Sequence, residues 1–166
     1  DESIIKLEFK KRESTSIDKS TFIISKELAD DIIACDFMAN SEKLKDDSKI
    51  VKALIKLKSI GYRPRVIVEY DREAYTLPFG NTRITIDKNL RSYNNETELF
   101  SIKYPSYPIL DDNLHILEVK FSNYLPQSVK YLLNSIDAIP HSISKYTLCQ
   151  KYINPRPWTD NLSVPF

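Results

Sequence analysis

Cysteine is scarce in this sequence, and its two cysteines exclude a disulfide-rich protein and a cysteine-based zinc protein. Cys35 and Cys149 make no disulfide framework, and neither stands at a spacing to other Cys or His residues that is typical of zinc sites. Each cysteine lies in an apolar-periodic segment, which predicts a buried free thiol and fits a reducing, cytoplasmic setting. His115 and His141 are isolated from any nucleophile or acid, so we expect both in turns or at the surface.

Long apolar runs and an excess of one charge sign are also missing. No stretch of about 18 apolar residues exists, and the sequence therefore predicts no transmembrane helix. It also shows no signal-peptide pattern at its start. The net charge is +1, from 24 Lys+Arg against 23 Asp+Glu, whereas a broad nucleic-acid footprint is usually more basic. A basic site can still form on a nearly neutral protein, because the local electrostatic field depends on where the charged side chains cluster.

The 166 residues are enough for one domain with a real core, and their periodicity predicts an α+β protein. Ser25 is typical of a helix N-cap, and Gly61 stands where a helix end favours a left-handed residue. Residues 78–81 are the clearest turn and predict a hairpin. We predict strands at 4–12, 21–24, 66–75, 82–87 and 115–121. We predict helices that begin at 25 and 126 and helices at 50–60 and 142–152. A polar loop is predicted at 13–20 and a long irregular stretch at 89–113. Residues 1–152 form the predicted domain, and 153–166 form a Pro-rich tail.

Charged residues recur on one face of several predicted strands. The hairpin places Tyr70 and Arg72 on one face of its first strand and Arg83, Thr85 and Asp87 on one face of its second. The first strand carries Glu8, Lys10 and Arg12, and the late strand carries Glu118 and Lys120. If these faces converge, they line a basic cavity that also contains a few carboxylates. The planar guanidinium of arginine suits phosphate binding, and the carboxylates suit binding of a divalent ion. A sheet with one solvated face of neutral ion pairs is the alternative that the pattern leaves open.

Six segments, in their order and spacing, resemble the VTC domain, the polyphosphate polymerase domain of the vacuolar transporter chaperone family and its bacterial relatives. They are Glu8-Phe-Lys10, Lys19, the run from Arg63 to Tyr75, the run from Gly80 to Asp87, Ile116 to Lys120 with Leu125-Pro126, and Ser144-Lys-Tyr146. The resemblance implies a triphosphate tunnel fold, an antiparallel β-barrel with helices packed outside. The family's first strands have no counterpart before Asp1, so the barrel is expected to be incomplete at the N-terminus.

The resemblance also implies an activity. The family transfers the terminal phosphate of ATP to a growing polyphosphate chain, with Mn²⁺ or Mg²⁺, inside a basic tunnel. ATP and polyphosphate are therefore the expected ligands, and nucleic acid is not. Further expected partners are a second chain or fragment that completes the barrel and a membrane protein that holds the domain at the inner face of a membrane.

Site residues follow from the resemblance position by position. It implies catalytic roles for Arg72, Arg83 and Lys145 and a metal-binding role for Glu118. The residues that it implies for phosphate binding are Lys10, Arg12, Lys19, Tyr70, Ser144 and Lys120.

Two other function classes stay open. One is a non-catalytic module that binds polyphosphate or phosphate and regulates a partner. The other is a triphosphate hydrolase or cyclase of the same tunnel group. Those enzymes usually carry a Glu-x-Glu-x-Lys strand, whereas this chain has Lys6-Leu-Glu-Phe-Lys10, with lysine in place of the first acid.

Overall fold

The computed structural model describes residues 4–13, 16–39, 48–93, 99–100, 105–136, 138 and 140–153, with backbone alone at 11–13, 16–18 and 48. The chain divides into two compact units, Asp1–Pro64 and Arg65–Phe166. Each unit combines helices with an antiparallel sheet, which confirms the α+β class. The two sheets of the described residues do not form a closed barrel. Of the predicted tail, only Ile153 is described, and it lies in the last helix.

The first unit begins with a hairpin of β1 (Ile5–Glu13) and β2 (Ser16–Ile24). The strands pair antiparallel from Ile5 opposite Ile24 to Glu13 opposite Ser16. The predicted polar loop at 13–20 was therefore wrong from Ser16 onward, because the polar residues there pair with β1 along its whole length. Backbone pairing, rather than an apolar face, determines where this strand begins.

Two helices complete the first unit, α1 (Lys26–Ile33) and α2 (Ser48–Ser59). The predicted N-cap is confirmed, since the Ser25 hydroxyl accepts a hydrogen bond from the Leu28 amide at 3.3 Å. Gly61 follows α2 with φ at 65°, as expected of a residue that ends a helix in the left-handed region. The core consists of buried residues from both helices and the segment between them, packed on the apolar face of the hairpin: Leu28, Phe37, Ile50, Leu54 and Leu57.

The second unit is built around one long central strand, β4 (Thr82–Tyr93). The strand β3 (Ile67–Leu77) pairs with one side of β4, and the short strands β5 (Ser106–Pro108) and β6 (Ile116–Lys120) pair with the other. The predicted hairpin turn is confirmed as a 3-10 turn at Phe79–Asn81, with Gly80 at φ 66°. A Cβ atom at Gly80 would lie 2.5 Å from the Tyr124 carbonyl oxygen, so the turn requires glycine for space as well as conformation.

β4 runs six residues past the predicted end at Asp87, and β5 also lies inside the predicted irregular stretch. A β-bulge explains the first difference. In the register of β3 and β4, Glu69 faces Arg91 and Asp71 faces Lys88, so two β4 residues, Asn89 and Leu90, oppose Tyr70. Asn89 takes φ 51°, which shifts the alternation by one residue and buries Leu90.

The last two helices are α3 (Gln127–Asn134) and α4 (Lys145–Ile153). α4 packs on β3 and β4, where Cys149 joins Leu90 and Ile116 in the buried core of this unit. The prediction of a buried free thiol is confirmed for Cys149, whereas Cys35 is half-buried. None of the helices in the described part of the chain has both the length and the apolar character that crossing a bilayer requires.

Candidate functional site

A buried carboxylate organises the polar end of the β3–β4 face. Arg72 of β3 lies directly opposite Asp87 of β4 in the strand register. The Arg72 Nε and Nη2 atoms donate to the two Asp87 oxygens at 2.6 and 2.8 Å, a bidentate pair. Lys145, the first residue of α4, donates its Nζ to Asp87 Oδ2 at 2.7 Å. One carboxylate with no exposed side-chain area therefore holds two cations side by side.

The local charges keep Asp87 and Arg72 ionised. The Arg72 hydrogen bond, with help from Lys145, holds the pKa of Asp87 below its usual value, although burial opposes this effect. The same hydrogen bond raises the pKa of Arg72. The cluster carries two positive charges and one negative charge, so it keeps a net positive charge that is available to an external anion.

The aromatic ring of Tyr70 contacts both cations. The Arg72 guanidinium carbon lies 5.0 Å from the Tyr70 ring centroid, and the Lys145 Nζ lies 5.1 Å from it. Both distances are within the range of a cation–π contact. Tyr70 faces this site because it lies two residues before Arg72 on β3, and its ring also packs against the core that contains Leu90. The predicted site residues Tyr70, Arg72 and Lys145 are thus brought together.

Within the described residues, Asp87 leaves further donors on both cations unused. Asp87 engages two of the five N–H groups of Arg72 and one of the three of Lys145. The two side chains are 32% and 21% exposed, so a dissolved ligand can reach them. An oxyanion that bridges them would accept charge-assisted hydrogen bonds from partners already fixed in place.

The same sheet face continues along β4 and β6. Thr85 lies opposite Glu118, and Arg83 lies opposite Lys120, so two cations meet across the strands where like charges repel. Lys120 is 3.0 Å from Glu118, while Arg83 has no ion pair within the described residues. The buried Thr85 hydroxyl has no hydrogen-bond partner there either. A chain of negative groups would relieve the repulsion between Arg83 and Lys120.

Glu118 is the predicted metal ligand, and its surroundings limit the kind of metal ion that it can bind. In the part of the chain that the structure describes, no three His, Cys, Asp or Glu side chains lie together as a metal site would require. Mg²⁺ and similar ions often bind one or two carboxylates and take their other ligands from substrate phosphates and water. The half-exposed Glu118 carboxylate fits a metal ion of that kind, which arrives with phosphate, and does not fit a closed protein cage.

The other predicted residues lie elsewhere. Ser144 caps α4, because its hydroxyl accepts from the Thr147 amide at 3.3 Å. In the first unit, Lys10 and Lys19 lie opposite one another on β1 and β2, and Glu8 lies between them, 2.7 Å from Lys19 and 3.8 Å from Lys10. The Arg12 backbone belongs to β1, and its side chain is outside the described residues.

Sequence reasoning placed Asp87 on the charged face, among acids suited to a divalent ion, but did not identify it as the centre of the site. Its signal was present in the alternation Arg83, Thr85, Asp87, which places all three on one strand face. A carboxylate on a charged strand face is ordinarily solvated, so the pattern alone could not show that this one is buried between two cations.

The fold and the site define a class: an α+β domain whose antiparallel sheet presents a preorganised cationic face suited to polyanions. Comparison with protein families narrows this class, because the VTC domain family matches residues 1–154. The chain therefore belongs to the VTC domain family, which links it to polyphosphate-related function. Neither the curated proteins nor the solved structures contain a match.

Proposed function

We propose that this chain is a polyphosphate polymerase-type domain that transfers the terminal phosphate of ATP to a polyphosphate chain. The observation that carries the proposal is the pair of cations, Arg72 and Lys145, fixed on Asp87 with their remaining donors exposed. The VTC family match supports the substrate class. The triphosphate tunnel fold implied by the resemblance, with a barrel incomplete at the N-terminus, is part of the same proposal.

Phosphoryl transfer needs positioning and charge neutralisation more than covalent help from protein. Arg72 and Lys145 would bind the oxygens of the transferred phosphate, and Arg83 with Lys120 would bind the neighbouring phosphates. Glu118 would hold Mn²⁺ or Mg²⁺, which neutralises charge on the phosphate oxygens when bound. The attacking end of polyphosphate is already anionic, so the reaction requires no strong general base.

A non-catalytic phosphate-binding module is the second candidate. Three ion pairs favour it, since Asp87 already pairs with both central cations and Lys120 already neutralises the predicted metal ligand. Such an arrangement binds anions without needing to activate a leaving group. Product analysis separates the candidates: labelled ATP with Mn²⁺ gives polymer for a polymerase, free phosphate for a hydrolase, and neither for a binding module.

Binding of tripolyphosphate tests the site itself, by calorimetry on the full chain with and without Mn²⁺. Lys145→Gln should weaken binding about tenfold, because it removes one charge-assisted contact. Lys151→Gln is the matched control, since Lys151 is an exposed lysine on the same helix. Equal affinities of the two variants would contradict the assignment of Lys145 to phosphate.

A second pair of variants tests Arg72. Arg72→Gln should reduce affinity at least as much as Lys145→Gln, whereas Arg91→Gln, at an exposed β4 arginine, should leave it unchanged. Full affinity in a folded Arg72→Gln protein would contradict the proposal. The proposed cytoplasmic location, the second chain that completes the barrel and the membrane-protein partner are tested separately, by copurification from membrane and cytosolic fractions.

A further inference from the structure

Four buried polar side chains lie along β4 in the described part of the chain, and one of them has no hydrogen-bond partner there. The four are Thr82, Thr85, Asp87 and Ser92. Three have partners within the protein: each of two hydroxyls donates to a backbone carbonyl oxygen, and the carboxylate accepts from two cations. The Thr85 hydroxyl has none, although Thr85 is only 3% exposed. A buried hydroxyl without a partner costs free energy, so its position calls for a physical explanation.

Two pairs of cations lie at the two ends of the charged sheet face. The first pair is Arg72 and Lys145, which both bind Asp87. The second pair is Arg83 and Lys120, which lie opposite each other on β4 and β6. Asp87 and Arg83 are four residues apart on β4, so the two pairs are separated by about 13 Å along the strand. A single phosphate bound at the first pair does not reach the second, whereas a linear chain of phosphates can contact both.

Thr85 lies midway between the two cation pairs. It shares the charged face because side chains alternate along a strand, and it stands two residues from each end of the interval. Its neighbours across the sheet are Ala74 and Glu118. Ala74 has no polar side-chain atom, and Glu118 is already paired with Lys120 at 3.0 Å. A phosphate chain that joins the two pairs would pass over Thr85, and its oxygens are acceptors of the kind that the hydroxyl lacks.

The charged side chains next to Thr85 can move aside for such a ligand. Glu118 is 40% exposed and Lys120 is 69% exposed, so both side chains reach solvent. Changes of side-chain rotamer are common where a partner binds. Once a phosphate chain covers the hydroxyl, their hydrogen bond is shielded from water, and the low local dielectric strengthens it. Thr85 would then contribute more to the bound state than to the free protein.

We propose that the Thr85 hydroxyl binds a middle phosphate of a linear polyphosphate chain that spans both cation pairs. The hydroxyl donates its hydrogen to a phosphate oxygen, and no covalent bond changes. Thr85 thereby makes the site selective for linear chains over a single phosphate. This inference rests on the proposed function of the same site and adds to it a residue to which the resemblance assigns no role.

Substitutions that keep or remove the hydroxyl test the role of Thr85. Thr85→Val replaces the hydroxyl by a methyl group, and calorimetry on the full chain should show about tenfold weaker binding of tripolyphosphate. Its affinity for orthophosphate should stay within about twofold of the native value, because a single phosphate binds at the first cation pair. Thr85→Ser keeps the hydroxyl and should bind tripolyphosphate like the native chain. Thr85→Ala lacks the hydroxyl and should bind it as weakly as Thr85→Val.

Thr82→Val is the matched control, since Thr82 is a buried threonine of the same strand that faces the opposite side of the sheet. Its hydroxyl donates to the Phe79 carbonyl oxygen at 3.0 Å. Thr82→Val should therefore lower the urea midpoint and leave the affinity for tripolyphosphate unchanged. Thr85→Val should not lower the midpoint of the ligand-free protein, because it removes a buried hydroxyl that has no partner. The two variants thus separate the effects on stability and on affinity.

Three outcomes would overturn the inference while the proposed function stands. These are equal affinities of the native and Thr85→Val proteins for tripolyphosphate, an equal loss of affinity for orthophosphate, and weak binding by Thr85→Ser. A lower urea midpoint in Thr85→Val with unchanged affinity would assign the hydroxyl to a structural partner such as an internal water. If the native chain binds no tripolyphosphate, the proposed function and this inference both fail. The native chain therefore tests the function, and its comparison with the Thr85 variants tests the inference.

Discussion

Arg72 binds the buried carboxylate of Asp87 through two hydrogen bonds, from Nε at 2.6 Å and from Nη2 at 2.8 Å. The pair joins neighbouring strands at a point where the register places the two residues directly opposite each other. It has a structural role and a proposed functional one, because the same guanidinium that fixes β3 to β4 is partly exposed and keeps donors that Asp87 does not use.

Removal of Asp87 should destabilise the second unit. Asp87→Ala leaves Arg72 and Lys145 close together without their shared carboxylate, and we expect a loss of about 2–4 kcal/mol in the free energy of unfolding. Urea denaturation followed by circular dichroism measures this loss. Asp71→Ala is the control: Asp71 is exposed and bonds to Asn89, so its removal should change stability by less than about 1 kcal/mol. Equal losses would mean that burial of Asp87 has no special effect.

The contribution of Asp87 to stability should depend on pH in one direction. Its pKa in the folded protein lies below the ordinary value of 3.8, mainly because Arg72 hydrogen-bonds to its charged form. The unfolded state therefore takes up a proton first as pH falls, and the stabilisation is present above about pH 4 and is lost below it. The difference in unfolding free energy between the native chain and Asp87→Asn should stay constant from about pH 7 to pH 5 and shrink toward pH 2. A difference that grows on acidification would contradict the assigned pairing.

Much of the fold could be predicted from local signals. The Ser25 cap, the Gly61 helix end and the turn before Thr82 all lie where short-range chemistry places them. The strand errors share one cause, because β2 and the end of β4 are specified by pairing with a distant strand rather than by their own pattern. At Asn89 the left-handed residue also breaks the alternation, so a regular period could not continue through it.

The site was predictable in its cations but not in its centre. Strand alternation places Arg72 on the charged face, and the resemblance to the VTC domain points to both Arg72 and Lys145. The role of Asp87 depends on a contact between β4 and the start of α4, which are separated by more than fifty residues in the chain. Alternation assigns a strand face, and only the tertiary structure shows that a helix covers this part of it.

The two glycines should differ in how well they tolerate a side chain. Both lie at positive φ, so alanine is strained at either position. Gly61→Ala has no atom within 4 Å of the new Cβ, and we expect a loss of about 1 kcal/mol. Gly80→Ala places the new Cβ atom 2.5 Å from the Tyr124 carbonyl oxygen, and we expect a loss of about 3 kcal/mol in the free energy of unfolding. Urea midpoints of the two variants give the comparison, and similar values would show that the turn moves away from the 122–126 loop freely.

The two thiols should react at different rates. Burial raises the pKa of Cys149, which has no exposed surface and lies 3.8 Å from the Arg91 carbonyl oxygen. The thiolate is the reactive form, so we expect Cys149 to react with a disulfide reagent only after unfolding, whereas the half-buried Cys35 reacts in the native chain. Absorbance of the released thiol, measured on Cys35→Ser and Cys149→Ser, assigns each rate. Rapid reaction of native Cys35→Ser would show that α4 detaches from the sheet.

Lys145 and Cys149 are four residues apart on α4, so they share one face of the helix across a single turn. One of them packs in the core and the other reaches Asp87. The volume of the core beneath α4 therefore sets the height of the lysine above the sheet. A substitution that changes the side-chain volume at position 149 would shift the Lys145 ammonium relative to Asp87, although it lies one helical turn away.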